Sequence, residues 1–388
     1  MIADCRFWIS VLGLGPRTRG ARRRVRNPQS PIRNRHAFTL VELLVTITII
    51  GILASMLLGA SSLAMNTARV SRTESLVTRL HTLVSQHYDS FRHRRVEVRE
   101  LSGGAKRQVG YRLEATYEQL RLELPDRWTD ITLAEIKDPP IVVNSPAGTP
   151  LIRLEERPPM SRMYLRRYNR LAAAGVSRED LVKNQGAECL YMIVMLACGD
   201  GESAGLFKES DIGDTDGDGA PEFIDSWGNP IEFLRWAPGF DSDVQLNAAK
   251  LQQIASKPAE YMQVNFPNAS QNASPENAVR LAISADHDPF DVFRVSTYAD
   301  GDPPRGYRLV PLIYSAGPNQ EYGIASPNPD DKIGVKDDLT YQPTANPLDP
   351  YAPVDHDSSS STDAVYLGQA LDRAAATDNI HNHLITGR

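Results

Sequence analysis

The feature that most constrains this chain is an apolar segment of 24 residues, from Leu40 to Leu63, whose single charged side chain is Glu42. As a helix it would span about 36 Å at roughly 1.5 Å per residue, which is enough to cross a hydrocarbon core of about 30 Å. Nine arginines and one aspartate precede it in residues 1–37. The positive-inside rule therefore predicts a cytoplasmic N-terminus and an extracytoplasmic C-terminal part.

Three interpretations of this segment compete. A secretory signal peptide has a basic start, a shorter apolar core and a small-residue cleavage site, for which Ser62-Leu63-Ala64 would serve. A plain membrane anchor is the second interpretation. Neither accounts for Glu42, because an ionisable side chain within an apolar span is costly to insert and indicates a function with a specific partner.

The third interpretation rests on residues 37–44, Ala-Phe-Thr-Leu-Val-Glu-Leu-Leu, which resemble the processing and methylation site of type IV pilins and type II secretion pseudopilins. The resemblance implies that a prepilin peptidase cleaves between Ala37 and Phe38 and that Phe38 is N-methylated. The family usually has glycine at the position of Ala37. The resemblance also implies that Glu42 pairs with the Phe38 amine of a neighbouring subunit during assembly, where little water competes.

The net charge is divided unequally along the chain. The whole chain carries a formal charge of -6, and the first 37 residues carry +8, so the remainder carries about -14. A strongly acidic exported body argues against nucleic acid as a partner. It leaves proteins and the membrane as the expected partners.

The three cysteines predict no disulfide within one helix. Cys5 lies in the leader, whereas Cys189 and Cys198 would occupy a compartment that permits disulfides. If the chain between them is helical, the two side chains point to opposite faces and cannot bridge. We expect two buried thiols.

The pattern of apolar residues predicts one continuous N-terminal helix. The chain has no glycine or proline from Ala60 to Ser102, and its apolar residues recur at helical spacing beyond the span. A helix of about 50 residues from Phe38 is expected, with its first half in lipid and its second half on a globular head. Further elements are predicted as helices at Leu113–Leu124, Ser161–Ala174 and Arg178–Ala197, and as strands within Asp225–Trp236 and Tyr307–Asn319.

The expected fold class is α+β. Following the resemblance, it is a pilin-like fold in which a long N-terminal transmembrane and amphipathic helix packs on a small antiparallel β-sheet, with insertions. The expected segments are a basic leader (1–37), a transmembrane helix (38–64), its amphipathic continuation (65–100), an insertion (101–160), a pseudopilin-like globular head (161–340) that contains a second insertion of surface loops (240–305), and a flexible C-terminal tail (341–388).

An acidic loop lies at residues 214–225, Asp-Thr-Asp-Gly-Asp-Gly-Ala-Pro-Glu-Phe-Ile-Asp. Acids occupy loop positions 1, 3, 5, 9 and 12 and Gly219 occupies position 6, as in an EF-hand calcium loop with Asp in place of Glu at position 12. The candidate ligands are Asp214, Asp216, Asp218 and Asp225. A solvated acidic turn before a strand is the alternative, because Pro221 occupies position 8 and no clear helix pair flanks the loop.

Three further landmarks resemble the head of the major type II secretion pseudopilins. They are the Asp-Ser-Trp-Gly-Asn-Pro run from Asp225, the Ser-Ala-Gly-Pro-Asn run from Ser315, and the Gly-Val-Lys-Asp-Asp-Leu run from Gly334. In that family a C-terminal loop binds a structural calcium ion. The resemblance therefore implies calcium ligands at Asp337 and Asp338.

The function expected from these features is structural. The chain would be a subunit of a type II secretion pseudopilus or type IV pilus-like filament, anchored in the inner membrane with its head in the periplasm. Its partners would be other subunits, the prepilin peptidase and the inner-membrane assembly platform. The alternative is a membrane-tethered calcium-dependent binding module or enzyme, which Trp227 and Trp236 beside the acidic loop would favour. The sequence contains no nucleophile–base pair, phosphate loop or complete zinc set, so enzymatic activity is not expected.

Overall fold

The computed structural model describes residues 39–96, 105–132, 157–177, 180–197, 203–267, 273–294, 305–327, 349–351 and 365–386. The chain divides into two compact units, Met1–Gly59 and Ala60–Arg388. The second unit combines helices with small antiparallel sheets, so the expected α+β fold class is confirmed.

Helix α1 comprises Leu40–Ser90 and has 51 residues, as the sequence predicted. Its large apolar side chains as far as Met65 are between 46% and 80% exposed. Among the described residues it is the one helix that is long and apolar enough to cross a membrane. The N-terminal part of α1 therefore has an exposed apolar surface.

The later part of α1 buries one side. Leu76, Leu80, Val84 and Tyr88 recur every four residues and are at most 5% exposed, which is the spacing of a single helical face. They join a core that includes Phe233 and Ile313 of the sheet described below. This part of α1 is a structural element of the head.

The remaining helices lie in the second unit. They are α2 (Ala105–Glu123), α3 (Trp128–Thr132), α4 (Pro159–Ala173), α5 (Gln185–Met192, continued by a π-helical turn at Ile193–Ala197), α6 (Ala248–Ser256), α7 (Pro258–Asn265), α8 (Pro275–Ala285) and α9 (His383–Thr386). Three of them correspond to predicted helices with shifted ends. α2 begins eight residues earlier than Leu113, α4 begins two residues before Ser161, and α5 begins seven residues after Arg178.

The described residues contain two antiparallel sheets. Strands β1 (Ile212–Gly213) and β2 (Glu222–Phe223) form one, and strands β3 (Glu232–Leu234), β4 (Leu312–Ser315) and β5 (Ile380–His381) form the other in the order β3-β4-β5. Phe233 pairs with Ile313, and Ser315 pairs with Ile380. Both predicted strand segments therefore contribute to the three-stranded sheet.

Helix α5 packs closely on β3, and Gly186 makes this approach possible. A Cβ atom at Gly186 would lie 3.0 Å from the backbone oxygen of Phe233 and would also collide with the Glu232 side chain. Because glycine has no Cβ atom, the first turn of α5 can rest on the strand. This contact fixes the position of the first turn, which also carries Glu188.

The structure differs from the sequence prediction in two segments. The insertion at 240–305, expected to consist of surface loops, contains α6, α7 and α8, which bury Leu251, Met262 and Val279. The tail at 341–388, expected to be flexible, supplies β5 and the buried residues Asn382 and His383. In both segments a short apolar set completes the core, and neither set is long enough to give a clear periodic pattern.

Candidate processing motif and cation site

The N-terminal processing residues, Ala37 and Phe38, lie just outside the described residues, which begin at Thr39. Thr39 precedes α1, and its backbone nitrogen donates to Glu42 Oε2 at 2.9 Å while its hydroxyl donates to the same oxygen at 3.0 Å. Glu42 N in turn donates to Thr39 Oγ1 at 3.2 Å. This reciprocal pair is a capping box, which satisfies amides at the start of the helix.

Glu42 therefore has two properties that suit an assembly residue. Its carboxylate stands at the N-terminal end of an apolar helix, where the helix dipole favours negative charge. It is also exposed in the single chain. An amine from another molecule has access to it.

A second candidate site lies between α5 and the loop that joins β1 to β2. Five carboxylates meet there, and we call them the acidic cluster: Glu188, Asp214, Asp216, Asp218 and Glu222. Carboxylate oxygens of Glu188, Asp216 and Glu222 lie within 4.8 Å of one another, and so do those of Asp214, Asp216 and Asp218. Asp216 belongs to both groups and joins them.

Backbone amides of the loop donate hydrogen bonds to the side chains of its own aspartates. Gly217 N and Gly219 N donate to the two oxygens of Asp214 at 2.7 and 3.1 Å. Asp218 N donates to Asp216 Oδ1 at 3.3 Å, and Ala220 N donates to Asp218 Oδ1 at 2.6 Å. Gly217 and Gly219 both have positive φ, which permits the tight turns of the loop.

Glu222 and Glu188 approach the loop from regular elements. Glu222 lies on β2, is fully buried, and accepts from Thr215 N at 3.1 Å and from Asn184 Nδ2 at 3.3 Å. Glu188 lies on α5, is 1% exposed, and accepts from the indole nitrogen of Trp128 with its Oε2 atom. Strand β2 and helix α5 therefore each place one carboxylate beside the loop.

Burial makes the cluster costly to ionise. Together with the charges of the neighbouring aspartates, it raises the pKa of Asp218 to about 6 and that of Glu222 to about 7. Burial also raises the pKa of Asp216, and burial together with Asp218 raises the pKa of Glu188 well above its usual value. Desolvation and like charge both disfavour the ionised carboxylates.

The structure does not bring every predicted calcium ligand together. Asp225 lies outside the acidic cluster: its Oδ1 accepts from Trp227 N and Asn229 N, and its Oδ2 accepts from Ser315 Oγ at 2.7 Å. Asp225 instead fixes a turn and ties it to β4. Asp337 and Asp338 lie outside the described residues.

Glu188 is the site residue that sequence reasoning missed. It lies 26 residues before Asp214 on a separate helix, so loop spacing contains no information about it. The only indication is a single carboxylate among the apolar residues of α5.

Trp227 and Trp236, and the histidines of β5 and α9, have structural surroundings. Trp236 is 5% exposed, with the Arg235 guanidinium 4.3 Å from its ring centroid, and Trp227 packs against the core. His383 Nδ1 lies 2.9 Å from Ser242 Oγ, and the His381 ring packs edge to face on Phe240. Trp236 is therefore a core residue and Trp227 is half-buried against the core, which weakens the case for an exposed aromatic binding surface.

A long apolar N-terminal helix followed by an α+β head is the arrangement of a type IV pilin-like protein. Residues 32–58 match the family model of the prokaryotic N-terminal methylation motif. Comparison with curated proteins and with solved structures gives no match. The motif supports a pilin-like or pseudopilin substrate of prepilin peptidase, and it points to a structural subunit.

Proposed function

We propose that the chain is a structural subunit of a type II secretion pseudopilus or type IV pilus-like filament. A prepilin peptidase would cleave it between Ala37 and Phe38 and methylate Phe38, and the mature subunit would then assemble from the inner membrane. The observation that carries the proposal is that the methylation motif coincides with the exposed apolar part of α1.

The exposed part of α1 needs an apolar environment. A continuous apolar surface on a single chain is an interaction site, because soluble proteins rarely leave such surfaces in water. Before assembly, lipid would cover the segment from Leu40 to Leu63, whose length matches a hydrocarbon core. After assembly, the same surface would pack against the apolar helices of neighbouring subunits.

The arginine-rich leader gives the proposed orientation. Its net charge of +8 would keep residues 1–37 in the cytoplasm, where a prepilin peptidase acts in the family that the motif resembles. The head would then be periplasmic.

Glu42 gives the proposal its sharpest test. Its carboxylate would become the fifth side chain of the mature subunit and would attract the Phe38 amine of the adjacent subunit. In a region with little water, this attraction is stronger than at a wet surface. In the isolated chain the Thr39 amide and hydroxyl occupy Glu42 Oε2 instead, and an incoming amine would compete with them.

The experiment compares Glu42→Gln with Glu74→Gln in cells that contain a prepilin peptidase and an assembly system. Glu74 is an exposed carboxylate on the head part of the same helix. Filament yield is measured by shearing and sedimentation, and Phe38 methylation by mass spectrometry. We expect E42Q to reduce filament yield at least tenfold and E74Q to match the wild type. Equal yield and equal maturation in both variants would contradict the proposal.

A further inference from the structure

Several carboxylate oxygens of the acidic cluster lack partners. Glu188 Oε1, Asp216 Oδ2 and Asp218 Oδ2 are buried, and none accepts a hydrogen bond within the described part of the chain. In each of these residues the second oxygen is anchored by Trp128, Asp218 N or Ala220 N respectively. The site therefore holds one oxygen of each carboxylate and leaves the other free.

Buried polar atoms without partners are rare in native proteins, and an unsatisfied carboxylate oxygen is especially costly. Glu188 is 1% exposed and Asp218 is 9% exposed, so bulk water does not solvate them fully. The nearby Lys183 ammonium forms an ion pair with Asp180, and its charge offsets only part of the rise in the pKa of Asp216. A cation held by Glu188, Asp216 and Glu222, whose carboxylate oxygens lie within 4.8 Å of one another, would give Glu188 and Asp216 the partner that their free oxygens lack.

The donor chemistry selects the type of cation. All five side chains are carboxylates, with no cysteine or histidine among them, and such oxygen donors favour hard ions over zinc or copper. Calcium accepts six to eight oxygens in a flexible geometry, whereas magnesium demands near-ideal octahedral geometry and keeps most of its waters. A half-buried site with five carboxylates therefore suits calcium.

We propose that the acidic cluster binds calcium and that Glu188 is the ligand that completes the site. Asp216 from the loop, Glu222 from β2 and Glu188 from α5 supply carboxylate oxygens that lie within 4.8 Å of one another, and Asp214 and Asp218 lie close to Asp216 in the same loop. The ion would tie the β1–β2 loop to the helix that rests on β3. This ligand set differs from the predicted twelve-residue loop, because Glu188 takes the place that Asp225 would fill.

The proposal does not depend on filament assembly, because the cluster lies wholly within the described head. Its function would be to hold the loop and α5 together in an extracytoplasmic compartment where calcium is abundant. Loss of the ion would leave buried negative charges to repel one another and would loosen this part of the head.

The test uses the full-length protein in detergent micelles. Its melting temperature is measured after chelation with EGTA and then with calcium or magnesium chloride at millimolar concentration. We expect calcium to raise the melting temperature by about 5 °C, since an ion far above its Kd stabilises the folded state by mass action. Magnesium is expected to give less than half of that shift.

Two isosteric variants test the ligand set. Glu188→Gln retains an oxygen that can accept from Trp128, and it should lose most of the calcium shift while melting no lower than the wild type in EGTA. Asp216→Asn changes a half-buried loop residue and should give the same loss if E188Q proves unstable. A calcium shift of wild-type size in both variants would overturn the proposal, and so would a wild-type protein that does not respond to calcium.

Two controls separate this site from other carboxylates. Asp288→Asn removes a buried carboxylate that the acidic cluster does not include, and it should keep the full calcium shift. The double variant Asp337→Asn with Asp338→Asn should also keep it. If the double variant alone abolished the shift, calcium would bind elsewhere and the assignment to Glu188 would be wrong.

Discussion

The first part of α1, up to Met65, leaves its large apolar side chains exposed, whereas the part from Leu76 to Tyr88 buries them in the head core. Both parts are helical, and the first is richer in aliphatic residues. The chain's own sheet and helices cover the apolar surface of the second part, whereas the proposed function assigns lipid or other subunits to the first. Stability of the head therefore depends on the second part, and under the proposed function assembly depends on the first.

The largest expected contrast comes from the same substitution in the two parts. Leu80→Ala removes a fully buried side chain, and we expect it to lower the free energy of unfolding by about 2 to 5 kcal/mol. Leu57→Ala changes a leucine that is 71% exposed and should alter it by less than about 0.5 kcal/mol. Urea unfolding of the full-length protein in detergent, followed by tryptophan fluorescence, measures both.

Equal destabilisation by L80A and L57A would show that the first part of α1 also packs within the chain. The comparison between the two parts would then fail.

A second contrast concerns acid. Burial lowers the pKa of His383 to about 3 and that of His381 to about 4, and it also lowers the pKa of His81, which contacts Asn382 from α1. The unfolded histidines titrate near pH 6.5, so the unfolded state takes up protons first. The contribution of these neutral histidines to the free energy of unfolding is complete above about pH 6.5 and declines as the pH falls toward 4.

For His383 alone the loss is on the order of 2 to 3 kcal/mol by pH 4. His383→Gln removes this titration, so we expect a shallower fall in the free energy of unfolding between pH 6.5 and pH 4. His93→Gln, at an exposed position, controls for the loss of a histidine. An unchanged slope in H383Q would mean that other groups cause the acid sensitivity.

The smallest expected contrast compares two hydroxyls of α1. Thr73 Oγ1 donates to Ser226 Oγ at 3.1 Å and accepts from Ser226 N at 3.2 Å, whereas Thr48 Oγ1 donates only to Val45 O in its own helix. Thr73→Val should cost about 1 kcal/mol because it leaves Ser226 groups without a partner. Thr48→Val should be neutral in the same chemical-unfolding assay. A neutral T73V would show that water replaces the threonine.

The sequence predicted α1 well because its evidence is long and periodic. Uninterrupted apolar spacing specifies a helix whether lipid or protein covers it. Helices α6 and α8 were missed, although Asn247 and Ser274 cap them in the structure and Pro275 follows the second cap. Polar residues that could cap a helix are also common in loops, and this stretch is rich in Asn and Pro. Only the packing of the folded chain therefore decides between a helix and a loop here.

Contacts between distant segments account for the other differences. Strand β5 has two residues and pairs with β4 about 65 residues earlier, and so short a strand shows no alternation. Glu188 reaches the acidic loop only because Gly186 lets α5 rest on β3. The loop aspartates were predicted from spacing, whereas the residue that completes the cluster depended on tertiary structure.

The central claim is that residues 1–37 are a leader and that α1 begins the mature subunit. Mass spectrometry of the protein recovered from membranes of cells that contain a prepilin peptidase tests it most directly. The account predicts a chain that begins at N-methylated Phe38. A chain that retains its leader, or one that begins near Met65, would contradict it.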